Sequence, residues 1–278
     1  MTTTLRPTRP IEHDRSGGKS RRYQVCVNSR PVGAVELATD KRFGSSVGRI
    51  VRLEIDEQDR RRGRATVAAL AAEEVLRGWG CARVEASIPA GSGDAALGLV
   101  SALGYAERGR NMVKSLTEQP ELPAGSVARP MNDAEYPAWL AAAQAGYIQD
   151  LTARGVSPEQ AEAIAVTDHD AALPYGPATP DTALRVLVHE GTDVGTLWVA
   201  LSAPHQRGGF VFEVEVAAEH RGRGHGRSLM LVAERECLAA GEHTLGLNVF
   251  ADNAPAVRLY ESLGYRVVER HFFKPLLP

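Results

Sequence analysis

Short β-branched runs in which apolar and polar residues alternate recur along the chain, each set followed by longer segments whose apolar residues return every three to four positions. Period two marks half-buried strands, and the longer period marks helices. Tyr23–Val27 and Val32–Leu37 flank the turn signal Asn28-Ser29-Arg30-Pro31, and Arg49–Ile55 forms the next strand. Leu184–His189, Val194–Leu201 and Phe210–Val216 repeat the arrangement. Ahead of this second set, Met131–Gly155 and Ser157–Leu173 read as two amphipathic helices. Ser157 is placed as N-cap of the second, Pro158 at its first helical position and Gln160 at the capping-box position. Only a polar, glycine-containing stretch precedes Tyr23, so the first set reads as a truncated copy.

The two sets are copies in sequence as well as in pattern. Leu53–Gly80 lies on Val214–Gly241 without a gap, which puts Arg60, Gly63 and Gly80 on Arg221, Gly224 and Gly241. Farther on, Leu103-Gly104-Tyr105 falls on Leu263-Gly264-Tyr265 after one residue is gained or lost. Between the copies Leu116–Pro130 carries three prolines and a glycine with little apolar periodicity, the marks of a linker. The domains are therefore expected at 1–119 and 127–278, joined by 120–126. Each copy is expected to show two or three strands, a helix, a strand, a helix and two short terminal strands, an α/β pattern.

Composition narrows the function. The chain has 278 residues, 44% of them hydrophobic and 24% charged, as soluble globular proteins do. A net charge of −2 argues against a nucleic-acid partner. Cys26, Cys81 and Cys237 are odd in number and lack metal-type spacing, and the eight histidines show no ligand spacing, so neither a disulfide framework nor a metal site is expected. The N-terminus has no secretory apolar core and no window is long enough to span a bilayer, which makes a cytoplasmic, membrane-free protein the expectation.

The sharpest chemical feature is Val216–Gly226, VAAEHRGRGHG, which follows a strand and opens a helix running to about Ala240. Unpaired amides and the helix dipole at such a turn favour a diphosphate. Gly222, Gly224 and Gly226 allow close backbone approach, His225 sits between the last two, and Arg221 and Arg223 offer charge-assisted contacts. Alternatives stand beside this reading. A glycine-rich turn with a solvated basic flank has the same letters, and a dinucleotide fold uses a related motif, although its third glycine is out of register here.

With the duplicate loop included, the chain resembles the GNAT superfamily of N-acetyltransferases, whose acetyl-CoA loop has the form [Gln/Arg]-x-x-Gly-x-[Gly/Ala]. Arg221, Gly224 and Gly226 satisfy it, as do Arg60, Gly63 and Ala65. The resemblance continues through Leu247–Asn253 and Leu259–Tyr265 and covers nearly all of Val127–Leu276. It implies two tandem α/β (α+β) folds, each a mixed, mostly antiparallel sheet flanked by helices, with acetyl-CoA as cosubstrate and a small-molecule or peptide amine as acceptor.

The resemblance also implies roles. Val214 and Val216 belong to a strand edge that pairs with the pantetheine arm, Tyr260 matches the general acid, and Asn253 matches a residue that contacts the arm. Asn248 stands where a related branch has a glutamate base, and an amide cannot take that proton, so the base is sought at Glu213 or Glu215 on the incoming strand. Each residue keeps a plainer reading: Tyr260 as a core aromatic, Asn253 as a helix N-cap, and the glutamates as solvent-facing partners of arginines. Tyr147, Asp150 and Tyr175 are candidate acceptor contacts. In the first copy Val100 stands in place of Tyr260, and Gly91-Ser92-Gly93 replaces the Asp252-Asn253 region. That copy is expected to be silent, whether its arginine-rich loop binds CoA or forms a solvated face. A mycothiol-synthase-like transferase, another acyl donor and a non-catalytic CoA-binding module remain alternatives.

Overall fold

In the computed structural model, which describes residues 3–15, 17–40, 44–153, 156–202 and 208–276, the alternating segments close into hairpins through left-handed residues. β3 (Lys19–Val27) turns into β4 (Arg30–Asp40) at Asn28 and Ser29, with φ of 47° and 66°. β9 (Thr182–His189) turns into β10 (Thr192–Ala200) at Glu190 and Gly191, with φ of 49° and 80°. Two successive positive φ values match the twist of the flanking strands, which sets the register of both hairpins.

Around these hairpins the first copy adds β1 (Thr3–Pro7), β2 (Glu12–His13), β5 (Gly44–Ile55), α1 (Arg64–Gly78), β6 (Arg83–Pro89), α2 (Asp94–Ala102) and β7 (Ala106–Ser115). The second adds β8 (Ser126–Pro130), α3 (Tyr136–Ala153), α4 (Pro158–Ala172), β11 (Gly209–Val216), α5 (His225–Ala239), β12 (Thr244–Phe250), α6 (Ala254–Ser262) and β13 (Arg266–Pro275). Among the described residues no helix lies between β1 and β3, where the second copy has α3 and α4, so the first copy is the truncated one.

Two compact units result: Met1–Arg110 with Phe250–Asp252 and Val268–Pro278, and Asn111–Val249 with Asn253–Val267. The first unit orders its strands β1-β3-β4-β5-β6-β13, with β2 on β3. The second runs β12-β11-β10-β9-β8. In each, one pair is parallel, β5 with β6 and β11 with β12. Both parallel pairs part early. β11 pairs with β12 only over Gly209–Val211 and Leu245–Leu247, yet continues to Val216; β5 pairs with β6 over Val47–Ile50, yet continues to Ile55.

Each long helix buries one stripe on its sheet. In the second unit Leu229, Met230, Ala233 and Cys237 of α5 pack with Leu187, Leu197 and Leu245; in the first, Ala72 and Leu76 of α1 pack with Leu37 and Val84. The same stripe carries a buried carboxylate, which needs a partner. Glu234 receives Lys114 at 2.7 Å and the Tyr265 hydroxyl at 3.3 Å. Glu73 receives Lys274 at 2.8 Å and the Tyr105 hydroxyl at 3.0 Å. In both triads the lysine comes from the strand that ends the other copy.

Several expectations need correction. Leu116–Pro130 is not linker throughout: Ser126–Pro130 is edge strand β8 on β9, and Leu116 is buried with its amide bonded to the His243 carbonyl at 2.8 Å. Proline is compatible with an edge strand, so its presence did not exclude one. β1 was not foreseen, because Leu5 alone among its five residues is a large aliphatic and no alternation is legible. The helix expected over Met131–Gly155 starts at Tyr136, after Asn132 Oδ1 accepts the Ala134 and Glu135 amides at 3.0 Å; Gly155 lies outside the described residues. Ser157 does cap α4, accepting the Gln160 amide at 3.3 Å.

Candidate active site

β11 ends at Val216, a short turn spans Ala218–His220, and Gly224 caps α5 with φ 88°. Gly222 has φ 76°, and a Cβ at either glycine would meet nothing within 4 Å, so the space before the helix is open. Inside the helix the first backbone bonds are from Arg227 and Ser228 to the Gly224 carbonyl, at 3.0 and 3.2 Å. The amides of His225 and Gly226 are thus among those a helix start leaves over, and no acidic residue occupies that first turn to repel an anion.

The arginines divide their work. Arg221 donates Nε to the Val216 carbonyl at 3.0 Å, bracing the loop against its own strand, while Arg223 is exposed. Expected as a ligand contact, Arg221 is in part a structural tie. The Val216 carbonyl is correspondingly occupied, so the free edge of β11 lies before it. His225 is buried, 4.9 Å in ring separation from His189 and 6.3 Å from His220. Burial first, then His189, His220 and Arg223, hold its imidazole below its ordinary pKa. Only its backbone is available at the loop.

Past Val211 the side of β11 that faces β12 has no strand partner, which is the opening an extended acyl arm would use. Glu213 and Glu215 stand on this segment, opposite Trp198 and Thr196 of β10. Burial raises the Glu213 carboxyl to about 7, helped by the charge of Glu215. The Trp139 indole opposes the shift, although among the described residues neither Trp139 Nε1 nor Glu213 Oε2 completes a hydrogen bond.

Tyr260 on α6 packs against the main core of the same unit, its ring 6.0 Å from that of Tyr265. Burial raises its phenol, so it stays protonated at neutral pH, and among the described residues its hydroxyl has no hydrogen-bond partner. Asn253 caps α6, accepting the Ala256 amide at 3.2 Å. Asn248 donates to Asn111 Oδ1 at 2.7 Å.

A family model for the acetyltransferase (GNAT) family matches this chain twice, over residues 3–105 and 157–265. The chain belongs to the GNAT family. It is 28% identical to an uncharacterized N-acetyltransferase, YycN, of Bacillus subtilis over 140 residues, 49% of this chain and 90% of that one. It is 34% identical to a mycothiol acetyltransferase of Streptomyces scabiei over 166 residues, 58% of this chain and 50% of that one. The chain thus spans about half the length of that relative. A GCN5-related N-acetyltransferase from Sphaerobacter thermophilus has the same fold, with TM-score 0.60 at 20% identity over 92% of this chain and 81% of that one.

On the sheet face under α3, this GNAT unit has a pocket of about 360 Å³ lined by Met131, Trp139, Val186, Gly195, Thr196 and Ala217, with Glu135, Asp193 and Glu215 at its border. Tyr147, Asp150 and Tyr175 do not line it. Tyr147 instead donates to Asp168 at 3.2 Å, tying α3 to α4, and Tyr175 is exposed. Sequence reading passed over Trp139 and Glu135; the spacing Tyr136, Trp139, Leu140 and Ala143 marked a buried helix face, but not which end of it meets the pocket.

The first GNAT unit has a larger concavity, about 720 Å³, bordered by Arg9, Arg21, Arg22, Glu12, Glu36 and Glu54. Val100, at the position of Tyr260, is buried and carries no ionisable group. Among the described residues no group of three or more His, Cys, Asp or Glu side chains is arranged to hold a metal ion, and no helix is long and apolar enough to cross a membrane.

Proposed function

We propose that the second copy moves an acetyl group from acetyl-CoA to a primary amine by direct attack, and that the first copy is catalytically silent. The observation that carries this is the parting of β11 and β12 after Val211 and Leu247, with the open loop Gly222–Gly226 at the end of β11 and Tyr260 in the same unit. Acetyl-CoA supplies an activated thioester carbonyl. The amides of Gly224–Gly226, with Arg223, hold the diphosphate, and Val214 on the free edge of β11 and the Asn253 side chain steady the arm.

Glu213 takes the proton that the incoming ammonium must lose, since a carboxyl near 7 is poised between its two forms at neutral pH. Glu215 draws the ammonium in. As the new C–N bond forms and the C–S bond breaks, Tyr260 gives its proton to the departing sulfur, the nitrogen sheds its second proton to solvent to become the amide, and Tyr260 is reprotonated from solvent. His225 and Asn248 serve through the backbone and through Asn111 respectively, rather than as ligands by their side chains. A mycothiol-type acceptor is the second reading, supported by the likeness to the Streptomyces scabiei enzyme.

Titration calorimetry with acetyl-CoA, followed by thiol release against amines with wild type and Tyr260→Phe, tests the proposal. Binding with release that collapses in the variant supports it. Binding without release from any amine overturns it in favour of a CoA-binding module.

A further inference from the structure

We infer that the acceptor is a small amine with an apolar, flat or aliphatic body, seated under α3 against Trp139. This rests on reading the second copy as the transferase. The pocket volume of about 360 Å³ lies at the low end for small-molecule sites, roughly 300–1,000 Å³, which suits a compact amine rather than a conjugate of several rings.

Charge decides where the ammonium sits. Three carboxylates line the pocket, and two of them share one guanidinium: Arg129 binds Glu135 at 2.6 and 2.9 Å and Asp193 at 2.6 Å. The same guanidinium, with the Asn132 amide, holds the Glu135 carboxyl down at about 2. Glu215 is the remaining carboxylate of the lining, and among the described residues it makes no ion pair. An acceptor's ammonium therefore meets Glu215, the one carboxylate of the three with no ion pair of its own among the described residues. No lysine or arginine lines the pocket, so an amino acid's carboxylate would be unmatched.

The walls decide the body. Met131, Val186, Gly195 and Ala217 offer a ligand no side-chain hydrogen bond, and the neutral polar groups of the lining are the Thr196 hydroxyl and the buried Trp139 indole N–H. A polyhydroxylated amine would leave hydroxyls unpaired against these apolar walls. Trp139 is held edge-on to Trp198 at 5.8 Å and 86°, with Tyr136 at 5.8 Å on its other side. A fixed indole beside an apolar floor favours a flat or aliphatic ligand body.

With the full chain at saturating acetyl-CoA, thiol release is measured for phenethylamine, hexylamine, phenylalanine and glucosamine. The expected kcat/KM for phenethylamine and hexylamine exceeds that for each of the other two by tenfold or more. Trp139→Ala raises the phenethylamine KM about tenfold with kcat within twofold, and Trp139→Phe, which keeps a planar wall, restores most of it. Phenylalanine or glucosamine turned over as well as phenethylamine overturns the inference while leaving acetyl transfer intact. Release with none of the four, with acetyl-CoA bound, overturns the transferase reading and this inference together.

Discussion

At the start of α1 the loop rests on an ion triad, whereas at the start of α5 the corresponding place holds three imidazoles. Arg64 and Asp59 are both buried and paired, and Arg30 adds a bidentate contact to Asp59 at 2.7 and 3.0 Å. Their counterparts 161 positions on are His225 and His220, joined by His189 from the adjacent hairpin. Above these different foundations the backbone is the same. Gly63 and Gly224 both cap in the left-handed region, and Arg60 and Arg221 both brace the end of the preceding strand, at 2.9 and 3.0 Å. Even Arg61 takes φ 57° where the second copy has Gly222. Loop shape is therefore fixed by a few backbone-directed positions, and both copies keep it although the side chains beneath it differ. What separates the copies is α6 against α2: Tyr260 against Val100, and the Asn253 cap against Gly93, which makes no side-chain cap.

The comparison is broken most sharply at Tyr260. Tyr260→Phe should lower kcat by about 10²–10⁴-fold with acetyl-CoA affinity unchanged, as loss of a general acid does, while Val100→Ala should leave kcat alone. Steady-state thiol release reads both. Next comes the loop. Gly224→Val forces a branched residue into the left-handed region, a cost of about 1–2 kcal/mol that should weaken acetyl-CoA binding by tenfold or more; Gly63→Val should leave turnover within twofold. Turnover abolished by Gly63→Val at unchanged stability would show that the first copy works after all.

Proton-linked effects are smaller. As the proposed base, Glu213 would have to be unprotonated, and its carboxyl is raised to about 7, so kcat/KM should climb as pH rises through about 7, and Glu213→Gln should remove that limb. His225 is held below its ordinary pKa of 6.5, so the unfolded chain binds its proton more readily. That contribution to stability is present above about pH 6.5 and is lost as pH falls through the lowered folded value. Urea midpoints at pH 7.5 and 5.5 should show the loss, and His225→Leu should reduce it. Smallest of all, Arg61→Gly should change stability by at most about 1 kcal/mol, since it relieves a left-handed arginine but loosens the unfolded chain.

Strands, hairpins and the loop were legible because each is written in local terms: alternation, paired turn residues, and glycines between a strand and a helix. Asn28-Ser29 and the Ser157 cap formed where the letters put them. The pocket was not legible, because Trp139 reaches it only through the packing of α3 on β9 and β10, and the aromatic residues chosen from the sequence, Tyr147 and Tyr175, face elsewhere. Nor was the use of Arg221 as a brace, since an arginine beside a glycine loop reads equally as a ligand contact and as a tie to its own strand. β8 and β1 lacked enough large apolar residues for their edge pairing to be heard above the prolines and threonines around them.

The lysines that neutralise Glu73 and Glu234 are each borrowed from the far end of the other copy. A gene cut at the proline-rich connector would therefore not yield two small proteins. The front half would lose Lys274, Phe272 and Leu276 and keep a sequestered anion with no counterion; the back half would lose Lys114 and suffer the mirror-image defect. Duplication here has ended in interdependence: neither copy completes its own interior without the last strand of the other.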